Sequence, residues 1–477
     1  MTHPMLDEGS FVAHADGLTS RDPLAWPGYA ESLDEARERS GSDESVVAGR
    51  ATIDGVEVEV AVFDFTFLGG SMGEVAGERI SRAMERAAEG RRPFILITAT
   101  GGARMQEGMV SLVQMPKVVA ARRALARAAV PYIAVLGHPT TGGVLASIGS
   151  LADYTIAVEG ATIGFAGPRL VERYTGRRLS EDSHSATSAL SAGLVDTVQA
   201  RDDVRSRIVA LLAALRPDAP EDLGPPFIGG EGRGTQHALW SARHPERPTT
   251  RGLIEGAFED LVPIHGDRAG TLAAGYTAFG RVAGRRCVII ATDSNYSPRP
   301  GDLRKARRCL EIAARLRLPV VTVIDTPGAD PSEPSEVGGI AHEIARLFDA
   351  MLSIDVAVVS VVTGQGGSGG ALAFAAADAL SIYEDAFFSV IAPESAAEIL
   401  WRDPNRAEEA AELLRLTAQD LVELGIADHA LAAPPTSESL RVAVAYHLAR
   451  LGPPAEGRAR LRERRWRTHG QGRQEGS

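Results

Sequence analysis

The chain has 477 residues, of which 44% are apolar and 5% aromatic, with 50 glycines and a net charge of −12. That length and composition support more than one large core of Ala/Gly/Val-rich α/β packing, and the acidic balance argues against general nucleic-acid binding. The only cysteines, Cys287 and Cys309, form no CxxC pair, and no long apolar run or signal pattern occurs, which argues against a disulfide framework, a cysteine zinc site and a membrane span, and a cytoplasmic protein is expected.

Residues 1–45, with Pro23, Pro27 and the charged stretch SLDEARERSGSDES, read as a helix-biased lead-in. Residues 46–67 alternate apolar and polar side chains around Asp54-Gly55, which predicts a hairpin. GGSMGEVAGERISRAMERAAEG opens on glycines and continues with Val75, Ile80 and Met84 at helical spacing. Strand, glycine turn and helix then alternate to about residue 200, the pattern of a parallel sheet covered by helices. A first domain over 1–213 follows. Residues 214–250 carry Pro217, Pro220, Pro225, Pro226 and GGEGRG, which reads as a linker. A second domain over 251–451 repeats the plan, with the hairpin-like GYTAFGRVAGRRCVIIATD and the amphipathic LRKARRCLEIAARL. The basic tail 452–477 shows no core face and reads as disordered.

The repetition extends to detail about 225 residues apart. Residues 131–172 match 354–398, pairing Gly142-Gly143 with Gly369-Gly370, Asp153 with Asp378, Glu159 with Glu384 and Pro168 with Pro393. Upstream, ILITATGGAR matches VTVIDTPGAD, with Gly102 facing Gly328. A repeat of this length is a whole domain.

Each copy runs a strand into a glycine turn and then an apolar helix. The first-turn N–H groups of such a helix lack helical acceptors, the helix dipole adds positive charge there, and glycine lets a ligand approach the backbone. That environment suits a thioester carbonyl whose oxygen becomes an enolate, and one such donor is worth roughly 2.7–4 kcal/mol in a transition state. Tight helix–strand packing would explain one glycine turn; two aligned copies point to two similar anion-stabilising sites.

GGSGG at 366–370 also matches the G-x-S-x-G nucleophile elbow, which would make Ser368 a nucleophile with His429 as base. The first copy has no serine at its turn, which weighs against that hydrolase. DTPG at 325–328 imitates a GTPase motif, but no phosphate-binding GxxxxGK[ST] loop accompanies it. No HExxH or close histidine pair suggests a metal site.

The first half resembles the β subunit of bacterial acetyl-CoA carboxylase carboxyltransferase, through LDEGSFV, FDFTFLGGSMGEVAGERI, GGARMQEGMVSLVQM, PTTGGV and IGFAGPR. The second resembles its α subunit, through RHPERP, DTPGA, GQGGSGGALA, FFSVIAPESAAEILW and LTAQDLVELGIAD. The resemblance covers roughly residues 6–435 and implies a β–α fusion of two crotonase-type α/β domains, each a twisted sheet superhelix surrounded by helices. The four-cysteine zinc ribbon of most β subunits would precede LDEGSFV, and a basic segment of the α subunits is replaced by TDSNYSPRPGD.

The resemblance implies transfer of CO₂ from carboxybiotin to the α-carbon of an acyl-CoA, taking acetyl-CoA to malonyl-CoA, with the base for the α-proton arriving with the cofactor. Biotin would ride on a separate biotin carboxyl carrier protein, charged by a separate biotin carboxylase. Gly142 and Gly143 would serve the thioester; Gly366, Gly367, Gly369 and Gly370 with the Ala371 amide would serve the biotin ureido oxygen. Gly101, Gly102, Arg104, Thr141, Gly167 and Arg169 are expected on the acyl-CoA side, the arginines as phosphate contacts. Gly328, Ser368, Arg304 and Lys305 are expected on the biotin or carrier side, and no metal is expected. One β-like and one α-like half per chain imply a homodimer or larger homo-oligomer. A decarboxylase of the same superfamily and a non-catalytic carrier-binding homologue remain as alternatives.

Overall fold

The computed structural model describes residues 3–180, 182–230 and 232–468. The chain divides into two compact units, one of residues 1–213 with 268–272, the other of residues 214–267 with 273–477. No helix among the described residues is long and apolar enough to cross a membrane.

Unit 1 is one mixed sheet built from β1 (Val12–Ala13), β2 (Val46–Ile53), β3 (Val56–Phe63), β4 (Phe94–Thr100), β5 (Tyr132–Thr141), β6 (Tyr154–Val158), β7 (Ile163–Gly164) and β8 (Thr197–Gln199). The order is β1-β2-β3-β4-β5-β6-β8, with the short β7 paired to β5. The hairpin β2–β3 is antiparallel and turns at Asp54 and Gly55, whose φ of 51° and 73° suit a primed hairpin turn. Parallel pairing runs from β3 to β8, as the buried apolar runs of β4 and β5 dictate. The helices Glu74–Gly90 and Gln114–Ala128 cover the sheet, burying Ile80, Met84, Val118 and Leu125 in the core.

Unit 2 repeats this order strand for strand: β9 (Glu259–Pro263), β10 (Tyr276–Val282), β11 (Arg285–Ala291), β12 (Val320–Thr326), β13 (Val358–Gly367), β14 (Ala379–Tyr383), β15 (Phe387–Ser389) and β16 (His429–Leu431). The α/β class and the duplication stand as expected. Asp153 and Asp378 do the same work, each accepting the backbone N–H that opens the neighbouring strand, from Tyr132 and from Val358, both at 2.8 Å. Cys287 and Cys309 are buried in unit 2, and burial pushes the Cys287 thiol up.

Two expectations about the connections are corrected. Residues 214–250 are not a free linker but part of unit 2. Ala219 N–H donates to Gly284 O, Gly229 N–H donates to Ala430 O, and the Arg281 guanidinium donates to Arg216 O. Residues 235–243 form a helix, Thr235–Arg243, that buries Leu239 and Ala242 against Phe387. The tail is not disordered up to residue 468, because the helix Arg458–Thr468 docks through a buried arginine. Arg462 bonds both oxygens of Asp378 and the carbonyls of Met351, Ile354 and Val356, and the Trp466 indole donates to Ala377 O. Residues 469–477 of the expected tail lie outside the described residues.

Candidate functional site

In unit 1, β4 leads into Gly101-Gly102 and β5 into Gly142-Gly143, and the two turns stack backbone on backbone. Gly142 has φ 64° and Gly102 φ 115°, conformations that favour glycine. A Cβ on Gly142 would stand 2.9 Å from Gly102 Cα and 3.2 Å from Gly101 O, so neither turn tolerates a side chain facing the other. Gly101 N–H donates to Gly69 O, Gly102 N–H to Thr100 Oγ1 and Gly142 N–H to Phe165 O. The next amide, Gly143 N–H, opens the helical stretch Gly142–Val144 and its π-helical continuation Leu145–Gly149, where no acceptor exists one helical turn earlier. Thr141 is buried behind the turn, with its hydroxyl donating to Thr100 O. Gly167 caps the exposed helix Pro168–Thr175 and has open space at its Cβ position.

Unit 2 builds the same object. Gly328 has φ 130° and its N–H donates to Thr326 Oγ1. A Cβ on Gly367 would fall 1.9 Å from Pro327 O, and one on Gly370 2.4 Å from Ala329 N. One on Gly369 meets nothing, so this turn is open to a ligand there. Gly366 lies against the Phe388 ring, while Ala371 is fully buried in the helix Ser368–Ala375.

The pairing of the turns is corrected by one residue. Thr100 pairs with Thr140 as Thr326 pairs with Gly366, and Thr141 pairs with Gly164 as Gly367 pairs with Ser389. Gly142-Gly143 therefore corresponds to Ser368-Gly369, not to Gly369-Gly370. The left-handed residue opening the helix is Gly142 in one unit and Ser368, at φ 57°, in the other. Ser368 is exposed and bonds no histidine among the described residues, while His429 packs on Tyr446 and His447, so the hydrolase arrangement of Ser368 with His429 is not formed.

Three basic residues have other work than expected. Arg104 is fully buried and bonds Glu44, Glu107, Ser71 O and the Tyr29 hydroxyl. A guanidinium so saturated holds the segment after Gly102 in place and is not presented to a CoA phosphate. Burial alone would raise the Glu44 carboxyl, but the Arg104 bonds and charge overcome this and hold it below its ordinary value. Glu107 passes the tie onward, accepting from Glu74 N–H at the start of its helix and from the Tyr29 hydroxyl.

Lys305 is buried and donates to Gly275 O, and Arg304 pairs with Asp267 and Glu343, so both are engaged within unit 2 rather than presented to biotin or its carrier as expected. The buried face of the helix Pro300–Leu316 includes Asp302, Lys305, Cys309 and Ile312, so helical spacing points Lys305 inward. Arg169 is exposed at the start of its helix, and Arg173, Arg177 and Arg178 extend this basic stretch. The sequence signal for this basic stretch is RLVERYTGRRL. No group of three or more His, Cys, Asp or Glu able to hold a metal ion occurs among the described residues.

Comparison with known proteins agrees with this geometry. Residues 235–447 match the family described as acetyl co-enzyme A carboxylase carboxyltransferase-like. The acetyl-coenzyme A carboxylase carboxyl transferase subunits beta/alpha of Salinispora arenicola is 40% identical, over 98% of this chain and 89% of that protein. The probable biotin-dependent acyl-coenzyme A carboxylase beta3 subunit of Mycobacterium bovis is 37% identical, over 90% and 87%. Among solved structures, the transcarboxylase 12S hexamer with hydrolysed methylmalonyl-coenzyme A bound superposes with a TM-score of 0.78 at 26% identity, over 95% of this chain and 90% of that one. With the duplicated glycine turns, these likenesses establish that the chain belongs to the acetyl-CoA carboxylase carboxyltransferase family, β-like and α-like halves on one polypeptide, and is a biotin-dependent acyl-CoA carboxyltransferase.

Proposed function

We propose that the protein carboxylates the α-carbon of acetyl-CoA to give malonyl-CoA, with unit 1 holding the thioester and unit 2 the ureido group of biotin on a separate carrier protein. The observation that carries this assignment is the pair of stacked turns, Gly102 on Gly142 and Gly328 on Gly367, each followed by a helix-opening amide. In unit 1 the Gly143 N–H donates to the thioester oxygen and strengthens its hold as that oxygen gains charge, so it lowers the barrier to loss of the α-proton. Carboxylated biotin supplies the CO₂ and the base for that proton.

The residues of unit 2 fit the ureido group: a Cβ at Gly369 would meet nothing within 4 Å, which leaves room beside the turn, and Pro327–Ala329 back the turn against displacement. Arg169, Arg173, Arg177 and Arg178 offer exposed guanidiniums for the phosphates of CoA. A biotin carboxylase on another chain recharges the carrier, and the working assembly is a homodimer or larger. The test follows malonyl-CoA decarboxylation with purified protein, with and without free biotin. Biotin-dependent turnover is expected; turnover indifferent to biotin would refute the assignment.

A further inference from the structure

The two units differ at the bulge through which each helix-opening strand enters its glycine turn. In unit 1, between the pairs Thr98–Leu136 and Thr100–Thr140, β4 sets Ala99 opposite Gly137, His138 and Pro139 of β5. In unit 2, between Ile324–Val362 and Thr326–Gly366, β12 sets Asp325 opposite Thr363, Gly364 and Gln365 of β13. The bulges are equivalent, so Asp325 stands for Ala99, Gly364 for His138 and Gln365 for Pro139.

These three changes belong together. A bulge frees backbone groups from the ladder, and a buried N–H without an acceptor is destabilising. Pro139 has no N–H, so unit 1 needs no acceptor there and Ala99 suffices. Gln365 has one, and Asp325 Oδ1 accepts it at 2.9 Å. Asp325 Oδ2 takes the Arg247 guanidinium, and the Asp325 N–H donates to Thr292 Oγ1 at 2.9 Å. Gly364 makes room for the pair. A Cβ on it would stand 2.5 Å from Asp325 Oδ1 and 2.6 Å from Arg247 Nη1, at the place where unit 1 carries His138.

The Asp325 side chain is only 2% exposed and that of Arg247 15%, so the carboxylate is engaged inside the fold and is not offered to a ligand. Burial raises the Asp325 carboxyl above its ordinary value, against the opposing charge of Arg247 and the bond from Gln365 N–H. Arg247 thus favours the ionised form, which accepts hydrogen bonds at both oxygens. A charge-assisted bond to a backbone N–H is stronger than a neutral one, and this one ends on the residue before Gly366 and Gly367. The helix Ser368–Ala375 opens directly after them. RHPERP and DTPG, far apart in sequence, meet at this point through Arg247 and Asp325.

We infer that Arg247 and Asp325 are positioning residues for the biotin side of the reaction, locking Gln365 and thereby the direction of the Gly369 amide. This rests on the placement of the ureido group in unit 2.

The test compares full-length Asp325→Ala, Arg247→Met and Arg247→Lys in biotin-dependent decarboxylation of malonyl-CoA. Calorimetric affinity for malonyl-CoA without biotin, and hydrogen exchange, serve as independent readouts. In Asp325→Ala and Arg247→Met, kcat/KM for free biotin should fall at least tenfold while malonyl-CoA affinity stays within twofold. Exchange should quicken across residues 364–370 and not across 98–104. Arg247→Lys, which keeps the charge, should lose less than Arg247→Met. The double variant Arg247→Met/Asp325→Ala removes both buried charges and serves where a single variant fails to fold. Because the two residues act as one unit, it should cost no more than the costlier single variant. Folded variants with kcat/KM for biotin within threefold of the unaltered protein, or with malonyl-CoA affinity falling in step, would overturn the inference. Faster exchange across 364–370 in a protein whose turnover ignores biotin would support the fastening of the turn and refute the transferase assignment. Biotin-dependent turnover that the variants leave unchanged would do the reverse.

Discussion

Gly102 and Gly142 lie back to back, so closely that a Cβ on either would stand within 3.1 Å of the other's Cα. Gly142→Ala, strained at φ 64° and obstructed by Gly102, is expected to lower kcat by about 10²-fold or more through displacement of the Gly143 amide. Gly143→Ala meets only the Met115 thioether at 2.9 Å, a side chain able to turn aside, and should cost less. Steady-state kinetics with circular dichroism as a folding control decides it: a folded, fully active Gly142→Ala would remove this turn from catalysis.

Unit 2 gives a sharper contrast. Gly369→Ala adds its methyl to open space, whereas Gly370→Ala drives one into Ala329 N. The first variant should keep its melting temperature and the second should lose several degrees. Ser368→Ala should leave biotin-dependent turnover within about threefold, because no base addresses its hydroxyl; a loss near the 10²-fold of a missing catalytic group would revive Ser368 as nucleophile.

Arg104→Met would strand Glu44 and Glu107 in the interior. Removing one partner of a buried ionic group costs about 3–5 kcal/mol, so a large fall in the denaturation midpoint is expected. Arg104→Lys should recover part of the stability. If Arg104 instead bound a CoA phosphate, Arg104→Lys would narrow the difference in KM between acetyl-CoA and its 3′-dephospho analogue; a buried fastener predicts no change in that ratio.

The tail is a fastener too. Arg462→Ala leaves the Asp378 carboxylate without its cationic partner and the carbonyls of Met351, Ile354 and Val356 without the guanidinium that donates to them. Destabilisation by about 3 kcal/mol or more is expected. Hydrogen exchange should quicken in β13 and β14, which Asp378 joins; unchanged protection there would show that the tail contributes nothing.

His447 sets an acid limit on unit 2. Burial first, then the neighbouring His429, lower its pKa to about 4 against an opposing pull from Asp428, with smaller lowering contributions from Arg465 and Arg450, and its Nε2 bonds Ser381 Oγ. The folded state therefore keeps the ring neutral where the unfolded chain would protonate it. Its contribution is complete above about pH 6.5 and is lost as pH falls from there toward 4, on the order of 3 kcal/mol in all. His447→Gln should flatten this part of the stability–pH curve; a variant with the same acid slope would assign the loss to other groups.

The sequence by itself determined the duplicated plan, because strand and helix periodicities are local and both copies carry them. It also determined the hairpin at Asp54-Gly55, the glycine turns at Gly102 and Gly142, and the family. The equivalence of the two turns was legible only to within one residue. Matching glycine to glycine paired Gly142 with Gly369, whereas strand register pairs it with Ser368, and register is a property of hydrogen bonds between distant segments. The fates of Arg104, Lys305, residues 214–250 and the tail were decided by tertiary structure for the same reason. Whether a charge turns inward depends on carboxylates and carbonyls far along the chain, such as Glu44 for Arg104 and Asp378 for Arg462.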